Sequence, residues 1–254
     1  MSDLKISKLL QVMKKLRDPI KGCPWDKKQT MESIIPYSIE EIYEVAEQVY
    51  AKNYPELMNE LGDLLFQVVY LSQIANEKKR FNFYDVVNSI TNKMIFRHPH
   101  VFKNKKFKNM KDFKHWWEKS KNKKNKSLLD DIPNTYPAML KAYKIQKKVA
   151  KVGFEYKTDL EAIDKVIEEA QELKKEIKRK NKKRKIKEEL GDLIFASLDV
   201  VRKLKFHPET ILNKANNKFS NRWKKIEKLI KINNEEIRKL NINKLNYYWE
   251  KTKK

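Results

Sequence analysis

Cysteine is nearly absent: among 254 residues it occurs once, as Cys23. That excludes a disulfide framework within the chain and any cysteine-based zinc site. Glycine is also scarce, limited to Gly22, Gly62, Gly153 and Gly191, against an average share of about 7%, which argues against turn-rich β architectures. Neither G-x-G-x-x-G nor G-x-x-x-x-G-K-[ST] occurs, so a Rossmann fingerprint and a Walker A loop are both excluded. Any phosphate chemistry has to proceed without a glycine cradle. No apolar run approaches the ~18 residues of a membrane span, and Met1–Lys8 lacks the hydrophobic core of a secretory signal. A cytoplasmic protein without a membrane role is expected.

Charge of one sign is abundant. Lys and Arg number 58 against 34 Asp and Glu, a net charge of +24. Such an excess suits polyanions in general. It is mostly lysine, accompanied by Asn and Ile, and the densest runs, 103–126 and 174–187, carry no zinc-finger, RRM or KH signature. The reading adopted is a solvated basic surface, with nucleic-acid binding not the primary function. The same field attracts a polyanionic small substrate.

The chain repeats itself. Glu40-Glu41-Ile42-Tyr43-Glu44 precedes Glu60-Leu61-Gly62-Asp63, and Glu168-Glu169-Ala170-Gln171-Glu172 precedes Glu189-Leu190-Gly191-Asp192. The copies are offset by 128 residues at the first motif and 129 at the second. Two similar domains follow, with residues 1–103 and 128–254 flanking a Lys-rich linker at 104–127.

Both copies read as helices, because Ile39, Ile42, Val45, Ala46 and Val49, then Leu61, Leu64, Leu65, Val68 and Val69, keep helical spacing. Ile163, Val166, Ile167, Ala170 and Leu173 do the same in the second copy, as do Leu190, Leu193, Ile194 and Leu198. Ser38 with Glu41 three residues on fits a capping box, a reading that competes for the Glu41 carboxylate. Further helices are expected at 3–17, 84–97, 137–150 and 209–232. The fold class is all-α: two tandem helical-bundle domains, each with an antiparallel helix pair carrying E-E-x-x-E and E-x-x-D.

On a helix, i and i+3 share a face, so Glu41 and Glu44 point together, as do Glu60 and Asp63. The midpoint between the pairs lies beside the turn-like Lys52-Asn53-Tyr54-Pro55. A hairpin there brings both pairs level, and a turn at Lys180-Asn181 does the same for Glu169, Glu172, Glu189 and Asp192. Helices pack about 8–10 Å apart, so the four acids of each copy form a cluster that repels itself, takes up protons or holds a cation. Hard oxygen ligands suit Mg²⁺, with Mn²⁺ as the alternative. A solvated acidic face is the bland alternative, weakened by the matched second copy. Gly62 and Gly191 sit inside helices at a cost of about 1 kcal/mol relative to alanine, which a close backbone or ligand would explain. A di-iron site needs E-x-x-H on facing helices, and His98, His100, His115 and His207 supply none.

These motifs, with Cys23-Pro24-Trp25-Asp26, Arg97-His98-Pro99-His100-Val101-Phe102, Lys144-Ile145-Gln146-Lys147 and Val152-Gly153-Phe154, resemble the two-domain MazG branch of the all-α nucleoside triphosphate pyrophosphatases over nearly the whole chain. The resemblance implies hydrolysis of NTPs, and of dNTPs, to a monophosphate and pyrophosphate with Mg²⁺, broad base tolerance, a house-cleaning role and a homodimer. It makes the C-terminal domain the catalytic one, with Glu169, Glu172, Glu189 and Asp192 holding the metal. It places Lys165, Lys185, Ile186, Lys187, Glu188, Asp192, Lys218, Phe219, Ser220, Asn221, Arg222 and Trp249 at the nucleotide. Lys165 shares a helix face with Glu169, and Trp249 offers a stacking surface, although a tryptophan in the core is the commoner arrangement. Glu168 or Glu188, next to the ligands in sequence, is the candidate to accept a water proton or orient a ligand. Glu41, Glu44, Glu60 and Asp63 form the candidate N-terminal metal site, without an evident counterpart of the C-terminal Lys/Arg/Trp set.

Overall fold

The computed structural model describes residues 2–121, 127–179 and 183–253. The chain divides into two units, Met1–Asn122 and Lys123–Lys254. Among the described residues every regular element is helical, as the all-α reading requires, and no helix is long and apolar enough to cross a membrane.

The N-terminal unit contains α1 (Ser2–Leu16), α2 (Pro24–Lys28), α3 (Met31–Ala51), α4 (Tyr54–Glu77), α5 (Phe83–Arg97), α6 (Pro99–Phe102) and α7 (Met110–Lys121). The start of α3 differs from expectation. Thr30 is its N-cap and forms a reciprocal capping box with Ser33, while Ser38 lies inside the helix and its hydroxyl donates to the Ile34 carbonyl at 3.1 Å. Ser38 therefore caps nothing, and Glu41 is free of that competing role. Lys52 ends α3 in the left-handed conformation, φ 56°, and Asn53 leads straight into α4, so the hairpin turns where the sequence places it. Asn82 and Asp85 form a second capping box at α5.

The core of this unit is Met13, Ile34, Val69, Tyr70 and Ile74, each large side chain contributing roughly 1.5–3 kcal/mol on burial. Within it the Tyr70 hydroxyl donates to Asp26 Oδ1 at 2.9 Å and to the Asp26 carbonyl at 3.0 Å, and burial together with that carboxylate pushes the phenol pKa up. Arg17 donates to Glu77 at 2.7 and 2.8 Å. Cys-Pro-Trp-Asp is thus a turn and short helix that presents a buried Asp26 to the core.

The stretch read as linker is partly structured. Met110–Lys121 is a helix whose Phe113, Trp116 and Trp117 pack with Phe96, His98, His100 and Phe107. Residues 122–126 of the expected linker lie outside the described residues.

The C-terminal unit contains α8 (Ala138–Ala150), α9 (Asp159–Lys178), α10 (Lys183–Lys203), α11 (Pro208–Ile232) and α12 (Ile242–Lys251), with a 3₁₀ turn at Ile237–Lys239. Thr158 caps α9 by accepting from the Glu161 amide at 3.1 Å. The helices α9 and α10 pack side by side, with α8 against α10. The expected turn at Lys180-Asn181 lies outside the described residues. Ile226, Ile230 and Tyr248 form the buried centre of an α11–α12 cluster.

Candidate functional site

In the C-terminal hairpin, carboxylate oxygens of Glu169, Glu189 and Asp192 lie within 4.8 Å of one another. Glu169 on α9 is 7% exposed, and the other two come from consecutive turns of α10. Desolvation, followed by the charges of Glu172, Glu169 and Asp192, raises the Glu189 pKa above the ordinary carboxylate value. Glu172 falls outside the close group of three and acts on it through its charge. Lys165 Nζ sits 2.8 Å from Glu169 Oε1 and 2.9 Å from Glu168 Oε1, and these two pairs raise its pKa. Lys165 and Glu169 therefore meet as their i, i+4 spacing predicts. Glu188 is turned elsewhere, with Arg184 Nε 3.6 Å from its Oε1.

Beside the acids opens a cavity of about 470 Å³. Lys165, Glu169 and Asp192 line it, together with Ile145, Gln146, Val149, Phe154, Phe195 and Ala196, and with Glu155, Tyr156 and Asp199. Gln146 is 4% exposed; its Nε2 donates to the Phe195 carbonyl at 2.7 Å, and its Oε1 is buried without a hydrogen-bond partner. Arg202 braces the wall, donating from Nε to Asp199 Oδ1 at 2.6 Å and from Nη1 to Glu155 Oε2 at 3.0 Å. Ile145, Gln146, Gly153 and Phe154 of this wall belong to two motifs that carry the family resemblance but were assigned no role, whereas Val149, Phe195 and Ala196 belong to no motif.

Other nucleotide-site candidates lie away from the cavity wall. Lys185, Ile186 and Lys187 belong to the first turns of α10. Lys218, Phe219, Ser220, Asn221 and Arg222 belong to α11, and Trp249 to α12. Phe219 and Trp249 rings are 5.3 Å apart, with the Arg222 guanidinium 5.5 Å from the Trp249 ring centroid. Trp249 also packs on the Ile226, Ile230 and Tyr248 cluster.

The N-terminal hairpin repeats the acids but not their surroundings. Glu41, Glu60 and Asp63 form the equivalent close group, with Glu44 outside it. Desolvation raises the Glu41 pKa, opposed by Gln67 and reinforced by Asp63 and Glu44. Glu60 is raised by desolvation and then by Glu44, Asp63 and Glu41. Gln67 Nε2 donates to Glu41 Oε1 at 3.2 Å. The position matching Lys165 is Tyr37, whose ring meets Trp25 edge-on at 5.7 Å. A separate cavity of about 300 Å³ among α1, α4 and α5 is lined by Ser7, Gln11, Lys14, Ser72, Asn76 and Asn82 among others, with no acid in its wall.

A Cβ built on Gly62 or Gly191 meets nothing within 4 Å, so no close backbone among the described residues explains either glycine. The donor set of each group is all carboxylate oxygen, crowded enough to perturb its own ionisation. This is the chemistry of a site that a hard divalent cation relieves.

A family model described as the MazG nucleotide pyrophosphohydrolase domain matches the chain twice, over residues 29–102 and 157–226. The chain is 40% identical to the nucleoside triphosphate pyrophosphohydrolase of Escherichia coli (strain K12), over 98% of this chain and 97% of that one. It is 42% identical to the nucleoside triphosphate pyrophosphohydrolase/pyrophosphatase MazG of Thermotoga maritima, over 96% and 94%. The crystal structure of a mazG-related protein from Thermotoga maritima overlaps 46% of this chain and 99% of that one at 24% identity, with a TM-score of 0.39.

Proposed function

Because the chain belongs to the MazG nucleotide pyrophosphohydrolase family and carries its domain twice, we propose that it hydrolyses nucleoside triphosphates, and deoxynucleoside triphosphates, to the monophosphate and pyrophosphate at its C-terminal hairpin. One observation carries this reading: the Glu169, Glu189 and Asp192 group shares a cavity with Lys165, so a cation site, a phosphate-binding cation and room for a ligand adjoin.

Glu169, Glu189 and Asp192, with Glu172 beside them, would hold Mg²⁺ or Mn²⁺. Bound there, the ion supplies neutralisation of phosphate charge. The chain's own groups do the rest. Lys165 Nζ donates to phosphate oxygens at the cavity mouth. A Glu168 carboxylate oxygen takes the proton of the attacking water as the bond between the α- and β-phosphates breaks. Glu188, exposed one residue before Glu189, is the second candidate for proton transfer or ligand orientation. Lys185–Lys187, Lys218–Arg222 and Trp249 remain the family-implied nucleotide contacts, apart from the cavity wall in this chain. The substrates fit a nucleotide house-cleaning role.

The proposed enzyme is a homodimer. Ile163, Ile167, Leu190 and Ile194 on the C-terminal hairpin, and Ile39, Ile42, Leu61 and Leu65 on the N-terminal one, are all exposed. Apolar faces of this kind are covered in four-helix packing.

The test is product analysis of an NTP and dNTP panel with Mg²⁺, with and without chelator. Equimolar monophosphate and pyrophosphate, lost on chelation, is the expected result. Orthophosphate as the main product, or no turnover, overturns the proposal.

A further inference from the structure

The ends of the two hairpins carry opposite charge. In the C-terminal unit the last turns of α9 hold Lys174, Lys175, Lys178 and Arg179, and the first turns of α10 hold Lys183, Arg184, Lys185 and Lys187. All eight are exposed, and the only acid among residues 174–179 and 183–187 is Glu176. At the repeat offsets of 128 and 129, the matching N-terminal stretches are 46–51 and 54–58, which contain no Lys or Arg and two acids, Glu47 and Glu56. The lysine excess of the whole chain therefore does not account for this end, since both units share that excess. Arg179 Nη1 lies 3.7 Å from Glu176 Oε1 and Arg184 Nε 3.6 Å from Glu188 Oε1, whereas the six lysines form no ion pair among the described residues. Helix electrostatics explains half of the cluster. Cations at the end of α9 suit the negative pole of the helix dipole, but those at the start of α10 face the positive pole and gain nothing from the helix.

We infer that this basic end of the α9–α10 hairpin is a docking surface for duplex DNA, held through its backbone phosphates; the inference stands apart from the pyrophosphohydrolase reading. The two helices pack side by side. Each is about 10–12 Å across with its side chains, so the pair is too wide for a major groove of about 12 Å. It lies instead across the phosphate backbones, which present one negative charge per ~1.7 Å of duplex axis. Phosphate contacts position a protein without reading bases, so the binding is independent of sequence. The described residues of this end carry no aromatic ring on which unpaired bases stack, which disfavours single strands. They carry no neutral hydrogen-bonding side chain to meet a 2′-hydroxyl, the group that marks RNA. Ile177 and Ile186 are their only apolar side chains, too little surface to bury in a membrane interface.

The experiment separates local charge from net charge. Anisotropy titrations of a labelled duplex DNA of mixed sequence, between about 50 and 200 mM salt, compare wild type with a variant carrying Lys174→Gln, Lys175→Gln, Lys178→Gln and Lys183→Gln. A control loses the same charge from the N-terminal unit through Lys5→Gln, Lys8→Gln, Lys15→Gln and Lys93→Gln. The hairpin variant is expected to lose at least about tenfold in affinity, with the slope of log affinity against log salt shallower by about 3–4, from ~0.9 per phosphate contact. The control is expected to stay within about threefold of wild type, because charges beyond a Debye length of about 8–10 Å from the contact are screened. Equal losses from both variants assign the binding to net charge and overturn the inference. So does a wild type that leaves duplex DNA unbound, or that binds duplex RNA or phosphatidylserine-containing vesicles more tightly. Glutamine has nearly the helix propensity of lysine. If circular dichroism nevertheless shows the fourfold variant unfolded, Lys174→Gln with Lys175→Gln is read instead, with an expected slope change of about 2. No nucleoside triphosphate is present in these titrations, so they stand whether or not the protein releases pyrophosphate.

Discussion

The two hairpins present the same three carboxylates within the same 4.8 Å, yet different groups answer them. Glu41 receives a neutral amide from Gln67, whereas Glu169 receives the ammonium of Lys165. Behind the first group the helix face is plugged by Gln67 and Tyr70; behind the second it is open. Each group of three carboxylates has the donors a cation could use. The two groups differ in adjoining positive charge and empty space, set by Tyr37 against Lys165, Gln67 against Ala196, and Tyr70 against Asp199.

The sharpest way to break this contrast is to remove matched ligands. Glu189→Gln lowers kcat/KM by about 10³-fold, the several kcal/mol a catalytic cation supplies. Glu60→Gln changes it by less than about threefold. Steady-state pyrophosphate release decides, and equal losses from both variants would mean that both hairpins turn over substrate. Next in size is the lysine. Lys165→Met costs about 10–100-fold in kcat/KM, the scale of a charge-assisted hydrogen bond, while Tyr37→Lys creates no second active site because Gln67 and Tyr70 still fill the space. Residual activity of Tyr37→Lys in an Glu189→Gln background would contradict the plugged reading.

The smallest effect concerns acid stability of the N-terminal unit. Burial raises the Glu77 pKa, but the Arg17 hydrogen bonds outweigh it, and the group titrates below its ordinary value of 4.5. A carboxylate depressed in the folded state contributes stability above its unfolded pKa and loses it as pH falls through the folded one. Glu77→Gln removes that dependence. Its partial exposure limits the cost at neutral pH to no more than about 1 kcal/mol. Urea melts between pH 3 and 7 should show a shallower acid limb for the variant, and an unchanged limb would assign the acid sensitivity to other groups.

Much of this architecture is legible in the amino-acid sequence. The helices expected at 84–97, 137–150 and 209–232 match Phe83–Arg97, Ala138–Ala150 and Pro208–Ile232 within a residue, because apolar periodicity and caps such as Asn82 mark them locally. The start of α3 differs from the Ser38–Glu41 spacing because the reciprocal Thr30–Ser33 capping box upstream takes precedence. The helix Met110–Lys121 was hidden by its lysines, although Phe113, Trp116 and Trp117 at i, i+3 and i+4 were the available signal. Motif spacing predicts a cluster of four acids in each copy; three of each four lie within 4.8 Å of one another, with Glu44 and Glu172 outside the close groups. The cavity does not follow from motif spacing, since it is defined by side chains missing relative to the other copy. Aligning the copies beyond Asp63 and Asp192 exposes the Gln67/Ala196 and Tyr70/Asp199 differences.

The two-residue turn at Lys52 and Asn53 also has a kinetic consequence. Contacts between α3 and α4 span short stretches of chain, and short loops close with little loss of entropy. Pairings this local form early in folding. Glu41 and Glu60, 19 residues apart in sequence, are therefore brought together at little cost in chain entropy, and their mutual repulsion is the part of that cost a bound cation would relieve.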